Sequence, residues 1–199
     1  MKYIYSIISI LILSGCQERF SPKPNGYLRI HLEPKAQTIF NLTQCPFNFH
    51  APSYWKIQNK SVEGHNCWID LDYINQKATI HLTYKTVSNN VFNLIEESRT
   101  MVYKHTLKAD EITEKRYQNN SNNTYGTLYD IYGETASSVQ FHITDSTNHF
   151  LRGALYFSVT PNQDSLRPII NYLREDIMQI METLEWVNQT ALKEEKTDT

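Results

Sequence analysis

The chain of 199 residues lacks an excess of positive charge, a cluster of glycines and a repeated cysteine spacing. Its 19 basic and 21 acidic side chains give a formal net charge of -2, which argues against nucleic acid as a partner. The six glycines are scattered, so the sequence contains no glycine-rich phosphate loop. Three cysteines without a C-x-x-C spacing exclude a thioredoxin-like redox motif. Composition therefore indicates an ordinary globular protein and predicts no cofactor.

One apolar run stands apart from this composition, at the amino terminus. Met1-Lys2 is followed by the apolar stretch Tyr3 to Leu13 and then by Ser14-Gly15-Cys16. As a helix this stretch would reach only about 16 Å, whereas the hydrocarbon core of a membrane is about 30 Å thick. The run is too short to span a membrane, and its tripartite pattern is typical of a cleaved signal peptide.

The small residues before Cys16 resemble the bacterial lipobox. We predict that residues 1–15 are a lipoprotein signal peptide and that Cys16 receives a diacylglyceryl group and a further acyl chain of the palmitate kind. Two or more chains give a stable anchor, so the membrane is a predicted partner through Cys16. A buried amino-terminal strand or helix with an incidental cysteine fits the pattern less well. The domain would face the periplasm from either the inner or the outer membrane.

Once Cys16 is assigned to lipid, Cys45 and Cys67 remain as an even pair. An envelope compartment permits disulfides, so we favour a Cys45–Cys67 bridge over two free buried thiols. Closing a loop of this size would stabilise the fold by roughly 3 kcal/mol in the chain-entropy account.

The rest of the sequence is organised as a tether, one domain and a tail. Residues 16–26 are rich in proline and predict an extended tether, residues 27–188 a single α+β domain, and residues 189–199 a flexible tail. Alternation of apolar and polar side chains predicts strands at Leu28–Leu32, Phe47–Phe49, Cys67–Tyr73, Ala78–Tyr84, Tyr125–Tyr132, Val139–Thr144 and Phe150–Val159. The polar segment Gln118–Thr124 predicts a turn between strands.

Two segments change to helical spacing. Apolar stripes predict helices over 91–105 and 165–187, the second with Asp164 or Ser165 as N-cap and Pro168 in its first turn. Strands in succession with two helices predict an α+β fold in which a mainly antiparallel sheet is covered by both helices. The segment Phe47–Trp55 and the terminal helix resemble the beginning and end of PsbP-like sandwiches.

Several histidines invite a metal or catalytic interpretation. His31, His81 and His142 lie on the polar side of predicted strands and could form a zinc site, but a solvated sheet face explains them better. His105 is best explained as a favourable cation at a helix end. The segment Asp145–His149 contains an acid, hydroxyls and an imidazole, yet it fits ordinary turn chemistry better than a catalytic triad. We therefore predict no catalytic and no metal-binding residue.

Long blocks of the sequence resemble the gliding-motility lipoprotein GldD family. They are PKPNGY at 22–27, CPFNFHAPSYWKI at 45–57, CWIDL at 67–71, YKHTLKADEI at 103–112, YGTLYDI at 125–131, ASSVQFHITDSTNHFLRGALYFSV at 136–159 and PNQDSL at 161–166. The resemblance implies a lipoprotein required for gliding and for the associated type IX secretion machinery, whose envelope proteins would be its partners. It transfers no catalytic residue, and Cys16 is the one functional position it carries over.

Three functions compete at this point. The first is a lipid-anchored, non-enzymatic accessory or assembly factor. The second is a small-ligand or glycan-binding envelope lipoprotein, in which some of the 13 tyrosines line a cleft. The third is a hydrolase that uses His149 with Ser146 or Asp145.

Overall fold

A computed structural model describes residues 32–60 and 67–187. The described part contains ten strands and two α-helices, with short 3-10 turns at Ile74–Gln76 and Lys104–Leu107. In chain order the elements are β1 (Gln37–Asn41), β2 (Phe47–Pro52), β3 (Lys56–Asn59), β4 (Trp68–Tyr73), β5 (Ala78–Thr86), α1 (Val91–Tyr103), β6 (Ala109–Asn119), β7 (Thr124–Gly133), β8 (Ser137–Thr144), β9 (His149–Phe157), α2 (Gln163–Thr183) and β10 (Glu185–Trp186).

The strands form two antiparallel sheets within the described residues. The larger has seven strands in the order β3-β4-β5-β9-β8-β7-β6, and the smaller has three in the order β1-β2-β10. Strand β10 follows α2 and pairs with β2, through Glu185 with Asn48 and Trp186 with Phe47. The last described strand is thereby hydrogen-bonded to the second one.

The main core gathers one face of the seven-stranded sheet, the three-stranded sheet and α2. Its completely buried side chains include Phe47, Phe49, Leu71, Ile80, Phe141, Leu155, Ile177 and Ile180. Burying each such side chain contributes roughly 1.5–3 kcal/mol. Phe141 pairs across the sheet with Gly153, and a Cβ at position 153 would lie 2.1 Å from the Phe141 ring, so the ring needs glycine there.

Helix α1 packs on the opposite face of the seven-stranded sheet. Its buried residues Leu94, Ser98 and Val102 recur every fourth position and form one stripe. Leu94 belongs to a small cluster with Phe150 of β9, and Val102 belongs to another with Tyr129 of β7. The helix is therefore held by two small apolar patches rather than by the main core.

The α+β class with antiparallel sheets and two helices is confirmed. The predicted strands of the described part all appear, as β2, β4, β5, β7, β8 and β9. The predicted turn at 118–124 is shorter than expected, because β6 continues to Asn119 and β7 begins at Thr124. The strand expected over Phe150–Val159 ends at Phe157. The helix expected over 91–105 ends at Tyr103 and passes into a 3-10 turn.

The prediction for the start of α2 was wrong. The helix begins at Gln163, and its N-cap is Asn162, whose side-chain oxygen accepts from the Ser165 backbone N–H at 3.1 Å. Asp164 and Ser165 are thus the second and third helical residues. Pro168 lies in the helix interior instead of the first turn. The helix ends at Thr183 because the following residues leave helical geometry to form β10.

Several predictions concern residues outside the described ranges. These are the signal peptide 1–15, Cys16, the tether 16–26, all but the last residue of the Leu28–Leu32 strand, His31 and the tail 189–199. The boundaries of the 27–188 domain remain a prediction. Among the described residues, no helix is long and apolar enough to cross a membrane.

Candidate functional site

A concave cleft of about 720 Å³ lies where α1 meets strands β6, β7 and β8. Three tyrosines, Tyr117, Tyr125 and Tyr129, contribute to its lining. Charged side chains come from both sides, with Glu96 and Arg99 on α1 and Glu114 and Arg116 on β6. Aromatic rings beside paired charges and hydroxyls are suited to holding a polar small molecule.

A hydrogen-bonded cluster at one edge of this cleft connects α1 to β6. The Arg99 Nε atom lies 3.2 Å from Glu114 Oε1, and the Tyr103 hydroxyl donates to the same oxygen at 2.8 Å. The Arg99 guanidinium also lies over the Tyr103 ring, 5.2 Å from its centroid. Because these side chains are partly exposed, the cluster contributes little to stability, and it connects the α1 and β6 sides of the cleft.

His142 and Tyr129 contribute buried side chains to the cleft. Burial lowers the pKa of His142 to about 4, and burial together with the Glu114 charge raises the pKa of Tyr129 to about 12. Both groups are therefore neutral at pH 7. The expectation of a solvated His142 was wrong, because its side chain lies under α1 and is 3% exposed.

The structure describes two of the three histidines of the possible zinc site, His81 and His142, and gives them different surroundings, whereas His31 lies outside the described residues. His81 is exposed, with its Nδ1 atom 2.6 Å from Asp70 Oδ1 and its ring against Tyr156. His142 instead stacks on Phe150, with ring centroids 5.6 Å apart. Across residues 32–60 and 67–187, no group of three or more potential metal ligands occurs.

The structure also does not support the interpretation of His105 as a cation at a helix end. It lies in the 3-10 turn after α1, where burial and the nearby Arg152 charge lower its pKa. An imidazole with a lowered pKa is neutral at pH 7. His105 therefore gains no charge interaction with the helix dipole at this pH.

The loop between β8 and β9 holds the residues that suggested a hydrolase. One carboxylate oxygen of Asp145 accepts backbone N–H groups from Thr147, Asn148 and His149 at 2.8–3.0 Å. Burial favours the neutral acid, but these three donors outweigh it and lower the pKa of Asp145. The predicted Asx-type turn is therefore observed.

The His149 imidazole points to other partners than Asp145 or Ser146. Its Nδ1 atom lies 2.8 Å from the Tyr84 hydroxyl, and its ring stacks on Trp186 with centroids 4.9 Å apart. These contacts tie the β8–β9 loop to β10. A groove of about 530 Å³ beside them is lined mainly by polar side chains, among them Asn122, Asn148 and Glu185.

Sequence reasoning missed a polar cluster at the start of the described chain. Lys35 Nζ lies 3.0 Å from Asp176 Oδ1 and 2.8 Å from Glu175 Oε2, both on α2. The Tyr54 hydroxyl donates to the other oxygen of Asp176 at 2.5 Å. The only sequence signal was Asp176 itself, an acid between apolar positions 173, 177 and 180 of the predicted helix.

A model of the family described as gliding motility lipoprotein GldD matches residues 17–186. The chain belongs to this family. Membership in the GldD family makes it a gliding motility lipoprotein, a class of proteins anchored to membranes of the cell envelope. The match begins directly after Cys16 and extends to the last residue of β10.

Other comparisons add only similarity of fold. The solution structure of cyanobacterial PsbP (CyanoP) from Synechocystis sp. PCC 6803 is similar at 8% sequence identity and a TM-score of 0.45. The similarity covers 83% of this chain and 98% of that chain. No curated protein matches the sequence.

In this GldD family member, the structure joins Cys45 and Cys67 in a disulfide with Cα atoms 5.3 Å apart. Cys45 precedes β2 of the smaller sheet, and Cys67 precedes β4 of the larger one. Both residues are buried in the main core. The bridge therefore connects the two sheets and has the position of a structural crosslink.

Proposed function

We propose that this GldD family member is a lipid-anchored, non-enzymatic accessory or assembly factor for gliding and for the associated type IX secretion machinery. The observation that carries the proposal is the family match over residues 17–186. Cys16 would hold the protein to the inner or the outer membrane by lipid, with the folded part facing the periplasm. Its partners would be envelope proteins of that machinery.

The roles of the hydrolase candidates support a non-enzymatic function. Asp145 accepts hydrogen bonds from three backbone N–H groups of its own loop. His149 pairs with Tyr84 and Trp186, so its imidazole is not directed at the Ser146 hydroxyl. A nucleophile and base must lie within hydrogen-bond reach in a triad, and these residues serve the fold instead.

The start of the described chain is firmly attached to α2, which supports a role in positioning. The Tyr172 hydroxyl donates to the Glu33 carbonyl oxygen, and Lys35 contacts both Asp176 and the Tyr172 ring, 4.4 Å from its centroid. A short tether from Cys16 to such a fixed point would limit how far the domain moves from the membrane.

Replacement of the lipidated residue tests the proposal. We expect Cys16→Ala to abolish anchoring and to reduce gliding and type IX secretion at matched protein abundance. Ser14→Ala is the matched control, because it keeps a small side chain before the cleavage site and should preserve both functions. Normal secretion by an unanchored Cys16→Ala protein would contradict the anchoring part of the proposal.

Crosslinking from the surface tests the partner class. Leu107 is 95% exposed and Phe92 is 70% exposed, and exposed large apolar side chains often lie in interaction surfaces. A photoreactive residue at either position should crosslink in cells to envelope proteins of the machinery. A photoreactive residue at exposed Lys56, on β3 at the opposite edge of the sheet from β6, is the control.

A small-ligand or glycan-binding function is the second candidate, and the tyrosine-lined cleft favours it. We expect an envelope saccharide to shift the NMR signals of Tyr117 and Tyr125, and Tyr125→Ala to weaken that binding about tenfold or more. Lys56→Ala, outside the cleft, should bind as the wild type does. Saccharides that leave both tyrosine signals unchanged would remove this candidate.

A further inference from the structure

A second cavity lies on the other flank of α1 and differs in character from the tyrosine-lined cleft. It encloses about 290 Å³, near the lower end of the volumes of small-molecule sites. Its apolar lining comes from Trp68 on β4, Leu94 and Met101 on α1, and Phe150 on β9. Such a cavity favours the apolar part of a ligand.

The cavity exists because the middle of the buried stripe on α1 is small. Leu94 and Val102 fill the space toward the sheet at the two ends of the stripe, but the residue between them is Ser98, which is 2% exposed. A large side chain at this position would occupy the space beneath the helix. Ser98 also lines the cavity directly.

One wall of this apolar cavity carries a cation. Arg152 on β9 donates from one terminal nitrogen to Gln140 Oε1 at 2.5 Å, but its buried Nε atom has no hydrogen-bond partner among the described residues. The neighbouring Gln140 Nε2 atom is also buried without an acceptor in the same part of the chain. Buried donor atoms are costly when they are left without an acceptor.

The positive charge of Arg152 influences its surroundings. After burial, the Arg152 charge is a further cause of the lowered pKa values of His105 and His142. Burial also lowers the pKa of Arg152, although a guanidinium stays charged at pH 7. Lys85 and Glu97 also line the cavity, where both are half exposed and pair with each other at 2.9 Å. The region beneath α1 therefore has excess donors and positive charge.

We propose that this cavity binds an amphiphilic carboxylate, whose chain lies against Trp68 and Phe150 and whose anionic group accepts from Arg152. A carboxylate supplies the missing acceptor and neutralises the charge, and a short alkyl chain suits the apolar lining. This site is distinct from the tyrosine-lined cleft and does not depend on the proposed assembly role.

Photolabelling of the complete lipidated protein in lipid nanodiscs tests this site. The probe is octanoate carrying a diazirine on its chain, and the labelled peptides are identified by mass spectrometry. We expect labelling of peptides that contain Leu94–Met101 and Phe150, with competition by octanoate and much weaker competition by octanol or butyrate. Nanodiscs without protein measure partitioning into the lipid.

Two variants separate charge from volume. Arg152→Gln should raise the octanoate concentration for half-maximal competition at least about tenfold, because the charge-assisted hydrogen bond is lost. Ser98→Leu fills the cavity while Arg152 stays in place, and it should abolish labelling in a protein that still unfolds cooperatively.

Arg167→Gln is the matched control, since Arg167 is an exposed arginine on α2 outside both this cavity and the tyrosine-lined cleft. It should label as the wild type does. Octanol competing as well as octanoate, or unchanged labelling in both Arg152→Gln and Ser98→Leu, would overturn the proposal.

Discussion

At the scale of single residues, the buried ionisable groups of this protein differ in how they are compensated. Asp176 is completely buried, and burial raises its pKa, but Lys35 and Tyr54 each contact one of its oxygens. Its neighbour Glu175 contacts the same lysine with a side chain that is 72% exposed. The two acids share a partner and differ in burial, which makes them a natural comparison.

We predict that Asp176→Asn lowers the free energy of unfolding by about 2 to 3 kcal/mol, because it leaves Lys35 without its buried partner. Partial exposure of Lys35 keeps the loss below that of a fully buried pair. Urea unfolding followed by circular dichroism measures the change. Glu175→Gln is the control and should change stability by less than about 0.5 kcal/mol. Equal losses in the two variants would mean that burial of Asp176 does not determine its contribution.

His142 predicts a pH dependence of stability. Its pKa is lowered from 6.5 to about 4 in the folded state, mainly by burial, so between these values the unfolded chain binds the proton more readily. Stability from this group is complete above pH 6.5 and falls as the pH approaches 4, by up to about 3 kcal/mol.

Replacing the imidazole tests this dependence. His142→Gln should flatten the fall in unfolding free energy between pH 6.5 and 4, measured by urea unfolding at several pH values. His50→Gln, at an exposed position on β2, should retain the wild-type profile. A profile that is equally steep without His142 would assign the acid sensitivity to other groups.

At the scale of elements, sequence patterns predicted those strands in which one face is apolar and the other is polar. Strand β5 alternates buried Ala78, Ile80 and Leu82 with polar residues that face the other way, and this pattern predicted the strand. Strand β6 was missed because this edge strand is polar along most of its length and is held by pairing with β7. Strand β10 has two residues and exists only through its pairing with β2.

The candidate sites were harder to predict from the sequence than the fold. Lys35 and Glu175 are 140 positions apart, and no local pattern indicates that they meet. The alternation in β8 correctly placed His142 opposite the core-facing residues, but it did not reveal that α1 covers that face. The cavity beneath α1 similarly depends on Ser98 and Arg152 being brought together by packing.

The N-cap of α2 gives a prediction at this scale. Asn162→Ala should lower the free energy of unfolding by about 1 kcal/mol, because the Ser165 backbone N–H loses its acceptor. Ser165→Ala keeps that N–H and should cost less than about 0.5 kcal/mol. Thermal unfolding at matched pH measures both changes. A larger loss in Ser165→Ala than in Asn162→Ala would support Ser165 as the N-cap instead of Asn162.

At the scale of the whole molecule, two sheets share one core, and the Cys45–Cys67 bridge joins them covalently. The bridge links positions 22 apart in sequence, so it restricts the unfolded chain more than the folded one. Pairing of β10 with β2 and packing of α2 join the same parts without a covalent bond. The fold should therefore persist without the bridge but with lower stability.

We predict that the purified protein contains no free thiol at Cys45 or Cys67 and that Cys45→Ala/Cys67→Ala loses about 3 kcal/mol of unfolding free energy. Thiol titration under denaturing conditions and urea unfolding measure the two quantities. Reductant should lower the stability of the wild type toward that of the double variant and leave the double variant unchanged. This comparison separates the loss of the crosslink from any effect of the alanine side chains. Two titratable thiols in the unreduced protein would show that these buried cysteines contribute through packing alone.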